Sequence, residues 1–432
     1  MKVSLFQGIL FSVFIFAALV GLFVFATYSN NGNSGGIVGT VVIWGTLPKE
    51  EMQSALTTAA QTEPLLKNVS YVQRDSATLA SDLASAIAVG AAPDLILTSQ
   101  EELRSIARFI TPIPSGTLST ATFTNTFIEE ANLFAAPGGY YGIPFLIDPL
   151  VLFSNRAILA SSGIAKPPTT WEALMGLVPN VAILSPSRQI SRGLIALGTY
   201  DNVHNARGIL SALFIQAGVP VSSYSPGGML AANLGANTSG GVPSGESVLG
   251  FYTQFADPSK VSYTWNASLP DSQQMFQNGD LALYLGYASE ARRLAAANPN
   301  LNFVVTPLPQ TATATLKSSY GLVYALMIPR GASNSSGAYQ TAALLTNAAE
   351  QNIAASATGL APVILNELAT TPADPVTAVA YAGALYSHGW LSPTPVDTDT
   401  IFSSMITNVI SGRSTLSTAL VSAERSLGAL LQ

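Results

Sequence analysis

The sequence predicts an α/β fold of two lobes, preceded by one transmembrane helix. Three observations support this prediction: an apolar run near the amino terminus, strands that alternate with helices from residue 41 onward, and a proline-interrupted apolar segment at 140–155. Strand–helix alternation is typical of a mainly parallel sheet. With 432 residues, the chain is long enough for more than one domain.

The composition argues against several classes of function. Charged residues make up 10% of the chain and the net charge is −6, so we expect no basic surface for nucleic acid. The chain has no cysteine and two histidines, which excludes thiolate chemistry and argues against a multi-histidine metal site. We therefore expect no cofactor, no metal and no catalytic residue.

The apolar run from Leu5 to Ala26 is long enough to cross a bilayer as a helix, which takes about 20 residues. Lys2 precedes it and the next positive charge is Lys49, so the positive-inside rule places the bulk of the chain outside the cytoplasm. A cleavable signal peptide is the alternative, but the run is long for a signal core, which favours an uncleaved anchor. We expect residues 1–28 to form the anchor or signal and residues 29–39 a linker.

The first α/β unit places small polar residues after two predicted strands. The strands are 41–44 and 94–97. Ligands of open α/β sheets meet the loops after the carboxyl ends of the strands. Those loops contain Thr46 after the first strand, and Ser99 and Gln100 after the second, which are therefore candidate ligand-binding residues.

The segment from Tyr140 to Asn155 has two apolar runs, interrupted by Pro144 and Pro149, with Asp148 as a lone carboxylate. Because proline cannot donate to a sheet ladder, we predict that no single central strand runs through it and that the chain crosses here between lobes. Residues 303–309 repeat the pattern. A buried carboxylate needs a partner, so Asp148 is a candidate to bind a ligand hydroxyl, although a backbone amide would serve equally.

The later part of the chain contains further predicted elements. A strand at 181–184 is followed by a polar loop and by a helix predicted from Ser191 to Leu197. Residues 222–246 are rich in Gly, Ser, Asn and Pro and show little periodicity, which predicts a surface excursion or lid.

Short segments in a fixed order carry a resemblance to a known family. They are Trp44, Ala92-Pro93-Asp94-Leu95-Ile96-Leu97, Gly142 to Asn155, Pro167 to Leu174, Phe276 to Leu283, Pro307-Leu308-Pro309 and Ser411-Gly412-Arg413. In this order they resemble the family 1 extracellular solute-binding proteins, which are maltose-binding-protein-like components of ABC importers. The resemblance covers almost the whole chain from residue 40. The chain departs from many members in lacking a lipid-bearing cysteine, which the membrane helix would replace.

The resemblance implies a two-lobe, type II periplasmic-binding-protein-like fold, in which crossover hinge strands let the lobes close over a ligand. The lobes would be 40–148 plus 307–362, and 149–306 plus 363–432. It also implies further candidate ligand-binding residues in the second lobe and near the last crossover. These are Arg188, Gln189, Tyr287, Ser289, Trp390 and Asp399.

We therefore expect a membrane-anchored, extracytoplasmic monomer that binds a small solute and delivers it to ABC transporter permease subunits. Neutral amides, hydroxyls and aromatic rings dominate the candidate loops, which favours an uncharged sugar or oligosaccharide. The alternative is a surface receptor or adhesin with the same fold. A weaker third hypothesis is a hydrolase that uses Asp148 and Glu290 as carboxylates.

Overall fold

The computed structural model describes residues 38–225, 227–235 and 244–431. Its main sheet has 11 strands, and helices pack against it, as the predicted α/β class requires. Within the described ranges, no helix has both the length and the apolar character needed to span a membrane. The predicted anchor, Leu5 to Ala26, lies outside those ranges.

The bounds of the strands and helices follow in chain order. The strands are β1 Val41–Gly45, β2 Val69–Gln73, β3 Leu95–Ser99, β4 Ile113–Pro114, β5 Ala135–Ala136, β6 Gly139–Tyr140, β7 Gly142–Asn155, β8 Ile183–Leu184, β9 Ile190–Ile195, β10 Ser222–Tyr224, β11 Leu230–Ala232, β12 Leu281–Tyr287, β13 Phe303–Pro307, β14 Ser319–Met327, β15 Ala361–Pro362 and β16 Ser387–His388. The α-helices are α1 Lys49–Thr62, α2 Leu79–Ala88, α3 Gln100–Ile106, α4 Thr120–Thr126, α5 Arg156–Ser161, α6 Trp171–Val181, α7 Ala206–Gln216, α8 Ser244–Thr253, α9 Ser272–Asn278, α10 Glu290–Ala297, α11 Ser335–Leu345, α12 Ala348–Thr358, α13 Leu365–Leu368, α14 Pro375–Ala384, α15 Pro395–Ile410 and α16 Leu416–Leu431.

The main sheet has the strand order β2-β1-β3-β14-β7-β12-β9-β8. The pairs β2–β1, β1–β3 and β12–β9 are parallel, whereas β14 and β12 pair with β7 in antiparallel fashion. The short strands β13 and β15 pair with β7, and β16 pairs with β14. The strand β7 therefore joins the two halves of the sheet.

The prediction that no single strand runs through the proline-rich segment is wrong, because β7 is one buried strand of 14 residues. Its first part pairs with β14 as far as Pro149, and its second part pairs with β12 from Leu150 onward. Pro149 thus lies where the pairing partner changes, and Pro144 lies opposite a register irregularity between Tyr324 and Ala325. A residue without an N–H group is tolerated at such interruptions of a ladder.

The helix predicted from Ser191 to Leu197 is also wrong. Residues Ile190–Ile195 form β9, which pairs with β8 in a hairpin and with β12 in parallel. The apolar residues Ile190, Leu194 and Ile195 fit helical spacing, but the strand pairing with β12 decides the local structure.

The described part of the segment 222–246 contains a hairpin. The strands β10 and β11 pair in antiparallel fashion, and the hydroxyl of Ser222 donates to the carbonyl of Leu391 at 3.0 Å. The helix α8 begins at Ser244. Residues 226 and 236–243 lie outside the described ranges, so the lid prediction for them stays a prediction.

An aromatic group packs against the second part of β7. The ring of Phe153 has its centroid 5.7 Å from that of Tyr284, 5.7 Å from that of Phe303 and 6.4 Å from that of Phe276. Phe153 is fully buried. Its ring therefore links β7 to β12, β13 and α9.

The substitution Phe153→Ala should lower the free energy of unfolding by about 3–5 kcal/mol, because it opens a cavity among rings that cannot collapse into it. Urea unfolding followed by tryptophan fluorescence measures the change. The control is Leu316→Ala, since Leu316 is 83% exposed and its truncation should change stability little. Equal effects of the two substitutions would contradict this account of the core.

Candidate ligand-binding site

The carboxyl end of β3 leads directly into α3, which carries buried polar residues. Gln100 is fully buried; its side-chain oxygen accepts from the N–H of Val323 at 2.7 Å, and its side-chain nitrogen donates to the carbonyl of Gly321 at 3.0 Å. These bonds satisfy the Gln100 amide and fix α3 against β14. Gln100 therefore positions the site.

Glu101, the next residue, forms an ion pair with Arg207 of α7. The Arg207 Nε and one terminal nitrogen donate to the two Glu101 oxygens at 3.0 and 2.7 Å. The other terminal nitrogen donates to Asp399 at 2.5 Å and to the carbonyl of Pro395 at 3.3 Å. Glu101 is 2% exposed, so one arm of this network is buried. We call Glu101, Arg207 and Asp399 the Arg207 cluster.

Three tyrosines surround the Arg207 cluster. The hydroxyl of Tyr320 donates to Glu101 at 2.5 Å, and that of Tyr200 donates to Asp399 at 2.5 Å. The Tyr287 hydroxyl packs against α7, since a Cβ at Gly208 would lie 2.5 Å from it. Burial and then the Glu101 charge raise the pKa of Tyr287 and of Tyr320 well above the ordinary tyrosine value. Burial and then the Asp399 charge likewise raise the pKa of Tyr200, so all three present neutral hydroxyls.

The guanidinium of Arg207 is held in its charged form. Burial alone would lower the pKa of Arg207, but the Glu101 and Asp399 carboxylates more than offset this and raise it well above its ordinary value. Two carboxylates thus bind one guanidinium. The pair with Glu101 is bidentate, and bidentate arginine–carboxylate pairs are among the strongest hydrogen-bonded ion pairs in proteins.

Asp148 lies on β7 next to the change of pairing partner. Its carboxylate accepts from the N–H of Ser289 at 3.1 Å, so a backbone amide supplies the partner that a buried carboxylate needs. Burial raises the pKa of Asp148 to about 7, against the opposing effect of the Ser289 hydrogen bonds. Ser289 stands just before α10, two residues after β12 ends at Tyr287.

Thr46 directly follows β1, and Ser99 is the last residue of β3, which is parallel to β1. The Thr46 hydroxyl lies 3.2 Å from that of Thr98, and the Ser99 hydroxyl donates to Glu102 at 2.6 Å. Ser99 also accepts from the N–H of Glu101 at 3.2 Å, which makes it the helix cap. Both hydroxyls are thus engaged within the protein.

The structure separates Arg188 and Gln189 from the other candidates. Both are exposed in the turn between β8 and β9, and so precede the amino end of β9. Because β9 and β12 are parallel, this turn lies at the edge of the sheet opposite to Tyr287. The Arg188 side chain instead packs over the Tyr263 ring at 5.2 Å and donates to the carbonyl of Lys260.

Trp390 is a core residue. It is 2% exposed, its indole N–H donates to the hydroxyl of Ser211 at 2.9 Å, and its ring packs near Phe402. The indole N–H of Trp390 is therefore hydrogen-bonded to a residue of α7.

A pocket of about 550 Å³ lies at the other end of α7 from Arg207. Its lining includes Glu130, Leu133, Tyr224, Ser318 and His388. The His388 Nδ1 lies 3.5 Å from a Glu130 oxygen, and this hydrogen-bonded carboxylate raises the pKa of His388. Burial in turn raises the pKa of Glu130. The pocket offers one His–Glu pair, a rim of hydroxyls and an apolar wall.

Sequence reasoning missed Glu101, Arg207 and Tyr320. Glu101 directly follows the candidates Ser99 and Gln100, but an acidic residue in the first turn of a helix is common and did not indicate a binding residue. Arg207 is a single charge in the apolar stretch Ala206 to Gln216, which is a signal that could have found it. Nothing in the sequence indicates that the Tyr320 hydroxyl meets Glu101.

Comparisons with known proteins identify the class of this fold. The model of a family described as bacterial extracellular solute-binding protein matches residues 55–382. The chain therefore belongs to the bacterial extracellular solute-binding proteins, a family of binding proteins located outside the cytoplasm. A search of curated proteins found no match.

Solved structures with the same two-lobe α/β fold are similar to almost the whole chain. A cyclic alpha-maltosyl-1,6-maltose binding protein from Arthrobacter globiformis has a TM-score of 0.73 at 15% identity, covering 92% of this chain and 99% of that one. A cyclo/maltodextrin-binding protein complexed with maltotetraose has a TM-score of 0.72 at 16% identity, with coverages of 93% and 99%. The GacH receptor of Streptomyces glaucescens has a TM-score of 0.69 at 16% identity, with coverages of 91% and 98%. At these identities the likeness concerns the fold.

The pKa of Asp148 predicts a pH dependence of stability. Its value rises from 3.8 to about 7 on folding, so the folded state binds the proton more tightly and loses stability as the pH rises between these values. The substitution Asp148→Asn keeps an acceptor for Ser289 and removes the titration. The difference in unfolding free energy between Asp148→Asn and the parent should therefore grow from about pH 4 to about pH 7. Urea unfolding at each pH measures it, and a pH-independent difference would contradict the raised pKa.

Proposed function

We propose that this solute-binding protein captures a sugar or oligosaccharide and delivers it to an ABC importer. The observation that carries the proposal is the Arg207 cluster, with Tyr287 and Tyr320 beside it. Loops after strands from both halves of the sheet meet there, and ligands of α/β folds bind at such junctions. The proposal extends the family assignment, which fixes binding but not the solute.

The chemistry of the cluster favours an uncharged, hydroxyl-rich solute. The Arg207 charge is matched by Glu101 and Asp399, so it leaves no surplus positive charge for an anion. Carboxylates and a guanidinium are planar groups that bind pairs of neighbouring hydroxyls, and tyrosines supply both a ring and a hydroxyl. The relatives complexed with maltotetraose and with acarbose support the same class of ligand.

The proposed ligand-binding residues are a revised set. Glu101, Arg207, Asp399, Tyr287 and Asp148 form its centre. Thr46, Ser99 and Ser289 lie on the adjoining loops and complete it. Gln100 and Trp390 support these residues from the core, and we no longer propose Arg188 and Gln189.

The two lobes proposed from sequence are 40–148 plus 307–362, and 149–306 plus 363–432. The change of partner on β7 between Pro149 and Leu150 supports a boundary at this point. In this division, Glu101 belongs to one lobe and Arg207 to the other. Their ion pair would then bridge the cleft and would open when the lobes rotate apart.

A hydrolase that uses Glu290 receives little support. Both Glu290 oxygens accept hydrogen bonds: one from Asn205 and the N–H of Tyr287, the other from Tyr284 and Gln273. A carboxylate with four donors is poorly placed to act as an acid or base.

A receptor or adhesin that does not serve transport is the second candidate function. Loss of sugar uptake on deletion of the gene would favour the importer component over this receptor.

Ligand binding tests the site. In a thermal-shift panel, maltooligosaccharides should raise the melting temperature, whereas amino acids should not. With the best sugar, Asp148→Ala, Tyr287→Ala and Arg207→Gln should each weaken affinity about tenfold to a hundredfold, since each removes a buried or charged hydrogen bond worth about 1.5–3 kcal/mol. Calorimetry measures the affinities.

Arg188→Gln is the charge-matched control for Arg207→Gln, because it removes the same charge from the turn at the opposite edge of the sheet. It should bind like the parent. A sugar that binds all four variants like the parent would place the cleft elsewhere, and an anion that outcompetes every sugar would reject the sugar assignment.

We also propose that Leu5 to Ala26 anchors the protein in the cell membrane with the bulk of the chain outside. Proteinase K added to intact cells should remove the carboxyl-terminal region, and the anchored protein should remain with the membranes after a high-salt wash. A cytoplasmic protein that stays intact is the control. Protection of the carboxyl-terminal region would reject the orientation, and release of the untreated protein into the medium would favour a cleaved signal peptide.

A further inference from the structure

A second pocket, of about 400 Å³, is lined by three arginines. They are Arg104 on α3, Arg108 in the 3-10 turn after it, and Arg330 after β14. The backbone brings them together, because Ile110 bridges to Pro329 and the N–H of Arg330 donates to the carbonyl of Phe109 at 2.6 Å. Arg108 lies seven residues past Glu101, which is about 10 Å along a helix axis.

The three guanidiniums have no carboxylate to balance them within the described residues. Ion pairs in these ranges involve only Arg207 and the two histidines, and the pocket lining contains no acidic side chain. Arg104 donates to the carbonyl of Leu431 at 3.1 Å, and Arg330 to that of Ile110 at 3.4 Å. Arg108 packs over the Phe109 ring at 4.6 Å. Carbonyls and a ring orient the guanidiniums, and the Leu431 carbonyl adds the partial negative charge of a helix carboxyl end. All three arginines are exposed, and no full negative charge among the described residues pairs with them.

This concentration of charge stands out in a chain that is poor in charge. The protein has 18 Lys and Arg among 432 residues and a net charge of −6. Three cations around one pocket repel one another, and arginine cannot lose its proton to relieve the repulsion. An anion inside the pocket would remove the repulsion and would meet several guanidinium forks at once.

We propose that this pocket binds a phosphate group. A tetrahedral dianion has enough oxygens to accept from more than one guanidinium, and Tyr141 and the apolar Ile110 and Pro112 line the remaining wall. The phosphate comes either as the free ion or as the ester of a lipid headgroup. The proposal is independent of the sugar ligand, because it uses none of the residues of the Arg207 cluster.

Calorimetry and ³¹P NMR on the full-length protein test the proposal, in a detergent without a sugar headgroup and at low ionic strength. The probes are inorganic phosphate and glycerol 3-phosphate, with chloride as the reference anion. The parent should bind at least one of the two phosphates saturably. Arg108→Gln and Arg330→Gln should each weaken that binding about tenfold or more, and the double variant should abolish it.

Arg425→Gln is the matched control, since Arg425 is exposed on α16 and its loss changes the net charge equally. It should leave phosphate binding unchanged, and circular dichroism melts should confirm that all variants are folded. Glycerol 3-phosphate binding ten times tighter than inorganic phosphate would assign a headgroup-type ester, and equal affinities would assign the free ion. No saturable binding, or equal losses in Arg425→Gln and the pocket variants, would overturn the proposal.

Discussion

The structure depends on the backbone hydrogen bonds of one buried strand. All 14 residues of β7 are buried, so its N–H and C=O groups must find partners in the protein. The strands β14 and β15 supply them on one side of Pro149, and β12 and β13 supply them on the other. Both halves of the sheet are therefore attached to the same strand, and the exchange of partners fixes where one half ends.

This arrangement also positions the polar residues of the site. The loop after β12 lies beside β7 because Tyr287 pairs with Leu150, and Ser289 then reaches Asp148. On the other side, Gln100 ties α3 to β14 through two backbone groups. Glu101 of the Arg207 cluster and the neighbouring Tyr287 are thus both attached to strands that pair with β7.

The sequence predicted the strands correctly where a short run of neighbouring residues determines the conformation. Strands at 41–44, 94–97 and 281–285 were predicted from short apolar runs, and all appear within a few residues of the predicted bounds. Prediction failed for β7 and β9, because in both cases a partner strand more than 80 residues away along the sequence decides the conformation. The local signals indicated other structures: two prolines predicted an interruption at β7, and a four-residue apolar spacing predicted a helix at β9.

For the site, the sequence proposed candidates on loops but could not indicate which of them are bonded within the core. Gln100 and Trp390 use their polar atoms within the core, which follows from contacts with Val323 and Ser211 that no local pattern encodes. Arg207 was missed because its carboxylate partners are 106 and 192 residues away. Pairing across such distances is a property of the fold.

Because Arg207 is ion-paired, its carboxylate partners compete with a solute for its N–H donors, and this competition lowers the affinity for the solute. A guanidinium whose N–H groups bind Glu101 and Asp399 offers fewer donors to a solute, so a solute that needs them must displace a carboxylate. The apparent affinity then equals the intrinsic affinity multiplied by the fraction of molecules in which those donors are free. Salt screens the half-exposed Asp399 more than the buried Glu101, so the ionic medium enters that fraction. The same protein would therefore be a weaker or stronger scavenger according to the salt around the cell, with every contact to the solute unchanged.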